Sequence, residues 1–293
     1  MAKKIFSLLS ILFTNVVLIV LVFVCAETVS FHILQDMDPN FHYKFMDEKF
    51  DRKYQQGDFH RDFRPVERKN NKKGSIILFG CCMTYGVGID DDNQTLSHYI
   101  SKYTNRTTYN RSIPGWGLQH MYYQLTNPNF KKEIDVKPDY IIYTFIKDHY
   151  RRLYMNSSAN EPYYLKYKIK NNKLVKVDES LINRSLLAYL ARSVYCNHHY
   201  DADLVDYYFI QSYKQAKKLW PDVKFIIFNL DDEYPLKNDS ILTENGIQIV
   251  DIPQFSDNES IEKLPDYWGD DSGHPAGKYW EWVIPSALKE VKW

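Results

Sequence analysis

Two short stretches of this chain carry the residue types of acyl chemistry at a spacing that can use them. The first, Gly80-Cys81-Cys82-Met83-Thr84-Tyr85-Gly86, is a glycine-bounded turn that would lift the side chain of Cys82 out of the backbone. The second, Asp271-Ser272-Gly273-His274-Pro275, sets a carboxylate three residues ahead of an imidazole. A thiolate attacks carbonyl carbon readily, and a neighbouring imidazole can take its proton and return it to a leaving group. A carboxylate behind the imidazole fixes its tautomer. Cys82, His274 and Asp271 are therefore the candidate catalytic residues. The glycines of Pro114-Gly115-Trp116-Gly117 let backbone N–H groups come close to a substrate. Candidate oxyanion donors are the N–H groups of Cys82 and Gly115, with Lys147 as a possible third. Trp116, Asp148 and His149 are candidate substrate contacts. Each has a plainer role open to it: Cys82 and Trp116 as packing, His274 as a helix cap, Asp148-His149 as a salt-bridged loop. Cys81 and Cys196 read as structural.

These stretches gain meaning from what precedes them. Short apolar runs fall at Ser75–Phe79, 108–113, 140–146, 224–230 and 247–252, with helical periodicity between them, as in Leu96, Tyr99, Ile100 and Tyr103. Strands alternating with helices predict parallel βαβ units, so the expected fold is a three-layer α/β/α domain with a five-stranded, mainly parallel, flavodoxin-like sheet. Residues 163–178, turning at Asn171-Asn172, predict an inserted β-hairpin. In such sheets ligands bind beyond the carboxyl ends of the strands. The thiol, the glycine turn and the Lys147-Asp148-His149 triplet each follow a strand, and the imidazole follows the last one.

Residues 75–280 resemble the SGNH (GDSL-like) superfamily of esterases and acyltransferases. The family's first block, Gly-Asp-Ser or in membrane-anchored members Gly-Cys-Ser-Phe-Thr-Tyr-Gly, corresponds to residues 80–86, with Cys82 where the nucleophilic serine stands. Gly115 corresponds to the glycine of the second block. Phe145-Ile146-Lys147-Asp148 corresponds to the third, with Lys147 in place of the oxyanion-hole asparagine. Asp271-Ser272-Gly273-His274-Pro275 corresponds to the last, Asp-x-x-His-Pro. The resemblance implies an SGNH-hydrolase-like fold and ester chemistry on acylated carbohydrate, acetyl being the expected acyl group, with no cofactor and no metal.

Among 293 residues, 37 Lys+Arg balance 37 Asp+Glu, so no overall field draws the chain to nucleic acid. Four cysteines are too few and too unevenly spaced for a disulfide framework or a zinc-ligand pattern. Lys3 and Lys4 precede an uncharged stretch over 5–26, long enough to span a bilayer as a helix, and the next charges, Glu27, Asp36 and Asp38, are acidic. The expected organisation is a cytoplasmic N-terminus (1–4), a transmembrane signal-anchor (5–26), a stalk (27–73) and the α/β domain (74–293). This makes a single-pass, N-in protein whose domain lies outside the cytoplasm, in the periplasm or at the cell surface. Cleavage after Ala26 and lipid attachment at Cys25 are the competing readings of that segment. Asn-x-Ser/Thr occurs seven times, more than composition alone predicts, which makes glycosylation possible.

Two functional readings follow. One is a membrane-anchored esterase or O-acyltransferase working on acyl esters of cell-envelope carbohydrate. The other is a catalytically inactive scaffold of the same fold that binds glycan or envelope-polysaccharide assembly proteins.

Overall fold

The computed structural model describes residues 2–37, 63–69, 73–153, 167–171, 173–176, 202–230, 236, 240–252 and 274–293. The chain opens with helix α1 (Ala2–Met37). Among the described residues no helix is long and apolar enough to cross a membrane. The α1 side chains described begin at Thr14, and the large apolar ones at 16–24 are all exposed, by 39% to 67%. Nine consecutive apolar residues facing solvent are a surface that water penalises.

The α/β domain then runs through β1 (Ser75–Phe79), α2 (Cys82–Tyr85), α3 (Leu96–Thr104), β2 (Thr107–Asn110), α4 (Leu118–Thr126), β3 (Pro138–Phe145) and α5 (Asp148–Arg152). A hairpin follows, β4 (Tyr167–Lys170) and β5 (Lys173–Lys176), antiparallel as expected and turning at Asn171, whose φ of 52° asparagine tolerates. The remaining elements are α6 (Ala202–Leu219), β6 (Lys224–Asn229), α7 (Ser240–Glu244), β7 (Ile247–Asp251) and α8 (Gly277–Glu290).

One sheet has the order β2-β1-β3-β6-β7, with every neighbour parallel. This is the doubly wound 2-1-3-4-5 order, whose switch point lies between the first and third strands. All five residues of β1 are buried, as a parallel sheet covered on both faces requires. Alternate residues part between two cores. Ile77, Phe79, Ile141, Tyr143, Phe225 and Ile227 pack with α4 and α6 on one face. Ile76, Leu78, Ile142, Ile226 and Phe228 pack with α3 and α8 on the other. Trp280 is fully buried in the second core.

Residues 63–69, which carry no apolar run, are bound to the domain by polar contacts. Glu67 N–H donates to Thr108 O at 3.0 Å and Thr108 N–H to Glu67 O at 2.9 Å, pairing this strap with the free edge of β2. Arg64 donates to the carbonyls of Tyr85 (3.1 Å), Gly86 (2.7 Å) and Ile89 (2.6 Å) and to Asp92 Oδ1 (2.9 Å), and its guanidinium lies 4.8 Å from the centre of the Tyr85 ring. One half-buried cation thus organises the whole turn after α2. Replacing Arg64 with Ala leaves three carbonyls without their charged donor and is expected to lower stability by about 2–4 kcal/mol, hydrogen bonds from charged groups being worth roughly 1.5–3 each. Urea unfolding should show a lower midpoint at an unchanged slope.

Candidate active site

The site lies at the switch point. β1 ends at Gly80, where a Cβ would sit 2.0 Å from Thr84 Oγ1, so glycine alone lets the chain turn directly into α2. That turn puts Cys81 into the interior, fully buried, and leaves Cys82 half-buried at the crevice. The turn after β2 is fastened to it: Asn110 Nδ2 donates to Thr84 O at 2.8 Å, and Asn110 Oδ1 accepts from Ser112 N–H at 3.2 Å.

In the β2–α4 loop Gly115 adopts φ +85°, a left-handed conformation that favours glycine. The Trp116 ring stacks on His120 with 4.9 Å between centroids and 8° between planes, and Phe63 of the strap meets it edge-on at 5.9 Å. His120 Nδ1 accepts from Gly117 N–H at 3.1 Å, capping α4. Arg152, the last residue of α5, ties this loop to the one after β3. Its Nη1 donates to Trp116 O and its Nε to Asp148 Oδ2, both at 2.7 Å, while its own carbonyl accepts from Gln119 Nε2 at 2.9 Å. The guanidinium is 6% exposed, so its charge acts through protein rather than water.

His274 arrives from the C-terminal side. Gly277, at the start of α8, presses on the turn at Asp92–Gln94, where a Cβ would come 2.5 Å from Gln94 Cβ. Arg64 grips the same turn through Asp92. Arg64, Gln94 and Gly277 therefore connect the turn after α2 to the segment that carries His274.

The electrostatics centre on Cys82, whose pKa is lowered from the ordinary thiol value to about 4. The largest cause is a hydrogen bond from Cys81; one from His274 and the positive charges of Arg152 and His274 add to it, against an opposing cost of burial. Cys81 is pushed the other way, first by burial and then by the same hydrogen bond, and so stays a neutral S–H donor. The surroundings of Cys82 thus favour its thiolate.

Of the residues predicted from the sequence, the fold brings Cys82 and His274 into contact. Gly115 and Lys147 stand in the loops beyond β2 and β3, Lys147 accepting the Tyr150 N–H at 3.0 Å as α5 begins. Asp271 lies outside the described residues, as does Cys196. Two expected substrate contacts need correction. His149 is fully buried, its Nδ1 3.0 Å from Tyr143 Oη, and burial with the charge of Arg152 holds it well below the usual imidazole range. Trp116 is 4% exposed and packs on His120. His149 lies in the first turn of α5 and Trp116 in the β2–α4 loop, and both side chains turn inward. Asp148 is engaged by Arg152. Arg152 and Cys81 were not foreseen as functional; the four-residue helical spacing of Arg152 from Asp148 was the available sign. Among the described residues no group of three or more His, Cys, Asp or Glu side chains could hold a metal ion.

No family model and no curated protein matches the chain. Solved structures similar to it include a protein from Desulfitobacterium hafniense DCB-2 named for the lipolytic G-D-S-L family, at 10% identity and a TM-score of 0.44, over 75% of this chain and 100% of that one. An acetyl xylan esterase from the rumen bacterium Butyrivibrio proteoclasticus matches at 14% identity and a TM-score of 0.44, over 74% of this chain and 62% of that one. A catalytic mutant of an acetylxylan esterase from Geobacillus stearothermophilus matches at 12% identity and a TM-score of 0.42, over 77% and 97%.

The thiolate should be visible in a pH profile. Alkylation of Cys82 by iodoacetamide is expected to stay near its plateau through neutrality and to fall only as pH drops through about 4. Arg152→Gln and Cys81→Ala each remove a group that favours the charged sulfur, so each should move that midpoint upward. A midpoint near 8.5 in the parent protein, the value of a free thiol, would contradict the arrangement.

Proposed function

We propose that this protein is an SGNH-type ester hydrolase or O-acyltransferase, with Cys82 as nucleophile, His274 as general acid–base and Asp271 as the group that orients His274. This reading is supported by the nearness of His274 to Cys82, from opposite ends of the domain, which together with Cys81 and Arg152 lowers the pKa of the thiol. The Cys82 sulfur attacks the acyl carbon, and His274 delivers a proton to the departing alcohol. A thioester at Cys82 then passes its acyl group to water or to a second alcohol, whose proton His274 accepts. The N–H groups of Cys82 and Gly115 receive the oxyanion, with Lys147 in the role of the family's asparagine. One such donor is worth about 3 kcal/mol. The motif resemblance points to acyl esters of cell-envelope carbohydrate, acetyl foremost, handled without cofactor or metal.

The alternative, an inactive scaffold that binds glycan or envelope assembly proteins, is favoured by Cys82 and Lys147, the two positions that depart from the family's pattern. With an aryl acetate as substrate, the full-length protein should turn over and Cys82→Ala should not. His274→Ala and Asp271→Asn should each lose most of the rate, and the double variant little more, because residues acting as one unit are not additive. A Cys82→Ala protein as active as the parent would overturn the enzyme reading, and additive losses would separate the roles of Asp271 and His274.

The same reading makes α1 a membrane anchor. Its exposed apolar residues at 16–24 support this, and Lys3 and Lys4 ahead of them favour an N-terminus in the cytoplasm. Protease added to intact spheroplasts should then remove the domain. Protection until the membrane is lysed would reverse the orientation.

A further inference from the structure

The β4–β5 hairpin carries charge that acyl transfer leaves unused. Between Tyr163 and Val177 the sequence holds five lysines and no acid, in a chain whose charges otherwise balance. The pairing of Tyr167 with Lys176, Lys168 with Val175, Ile169 with Leu174 and Lys170 with Lys173 sorts these residues onto two faces. One face packs on the domain. Tyr167 and Leu174 are buried there, and the Tyr167 ring meets Tyr122 of α4 edge-on at 5.3 Å and Tyr208 of α6 at 6.3 Å. Lys176, on the same face, lies 6.0 Å from the centre of the Tyr123 ring. The other face is Lys168, Lys170, Lys173 and Val175, all exposed. Lys170 and Lys173 stand directly opposite each other, a placement of like charges that costs the hairpin stability. Among the described residues no acid pairs with any of these three lysines. Elsewhere, surface cations meet acids: Lys102 Nζ lies 3.5 Å from Glu281, Lys137 Nζ 2.7 Å from Asp222 and Arg68 Nη1 2.7 Å from Asp135. A fixed platform of three unmatched cations around one exposed valine complements a flat anionic surface with an apolar layer beneath it. It presents no aromatic ring for stacking on a sugar.

We propose that this face of the hairpin is a docking surface for the anionic phospholipid headgroups of the membrane that holds α1, with Lys168, Lys170 and Lys173 as the contacts and Val175 among them. This rests on the anchor reading of α1 and goes beyond it, because an anchor fixes where the chain is attached and not which side of the domain meets the membrane. The chain between Met37 and Phe63 cannot reach beyond about 90 Å even fully extended, so a domain tied to α1 meets the same surface repeatedly. Such tethering raises the local concentration, and a contact too weak to hold a free protein then suffices. Each lysine close to an anionic membrane contributes about a fivefold factor, and three together shift the equilibrium toward the docked state by about 100-fold. Docking turns the α4 and α6 side of the sheet toward the membrane. The crevice at the carboxyl ends of the strands then opens along the membrane surface instead of away from it.

The test is a lysine footprint of the full-length protein in nanodiscs, made either of phosphatidylcholine or of phosphatidylcholine and phosphatidylglycerol in equal parts. A water-soluble N-hydroxysuccinimide ester labels the amines, and mass spectrometry reads each lysine separately. Lys168, Lys170 and Lys173 should label at least about fivefold more slowly on the anionic nanodiscs. Lys102 and Lys137, on other sides of the domain, should label alike on both. Raising NaCl to about 1 M, where the screening length falls to about 3 Å, should remove the difference. Val175→Asp, which sets a carboxylate among the lysines and leaves the buried face untouched, should remove most of it too. Equal labelling of the three lysines on both nanodiscs would overturn the docking surface and leave the anchor standing. Protection by dissolved polygalacturonate without protection by anionic lipid would also overturn it, and would give the face to an acidic glycan. Flotation with phosphatidylcholine vesicles tests the anchor by itself, and a protein that fails to float would overturn the anchor and the docking surface together.

Discussion

A negatively charged sulfur that is half withdrawn from water has to be met by donors, or it takes a proton and ceases to be a nucleophile. In this protein the donors come from three directions. Cys81 reaches Cys82 from its own turn, Arg152 acts through the helix that follows β3, and His274 comes from the approach to α8. Only the first of these is placed by local structure. The parallel sheet brings them together, because its switch point opens the loops after β1 and β3 away from each other and leaves a crevice that the loop after β2 lines.

The positioning is carried by groups that do no chemistry. Arg152 links the Trp116 carbonyl to Asp148, so the loop holding Gly115 and the start of α5 move as one piece. Arg64 does the same for the turn after α2, and that turn is in contact with Gly277 next to His274. Two guanidiniums, Arg152 buried and Arg64 half-buried, thus tie down the turn of Cys82, the glycine turn and the segment approaching His274. Each satisfies several carbonyl or carboxylate oxygens at once, which a planar, permanently charged group does better than a lysine.

Much of this was legible in the sequence for a physical reason. Strands buried on both faces must be apolar throughout, so the five runs announced the sheet, and glycine punctuation marked where Cys82 would emerge. Contacts made by polar residues over long separations left no such trace. The strap at 63–69 reads as a hydrophilic stalk because its bonds to the domain are made by Arg64 and Glu67. Arg152 sits inside a short helix, and its weight comes from burial that composition does not reveal. His149 and Trp116 misled in the opposite sense: positions just past a strand usually face solvent, but these side chains turn back into the core, where Tyr143 and His120 meet them. Cys81 lies next to the nucleophile, and only the turn at Gly80 determines which of the two thiols is interior.

The separation between Cys82 and its imidazole governs when the site comes into being. About 190 residues lie between Cys82 and His274, so a chain emerging from the ribosome displays the thiol long before the base exists. The strap shows the same delay on a smaller scale, since Glu67 waits for Thr108 and Arg64 for Asp92. Contacts this distant along the chain close late, after the nearer strand pairs have paid the entropy of ordering the sheet. In a nascent chain the residue-82 sulfur lacks the imidazole that contributes to its stabilisation until the last part of the chain has docked. Synthesis itself therefore separates the thiol from its imidazole in time, and a product that ends before residue 274 carries Cys82 without that neighbour.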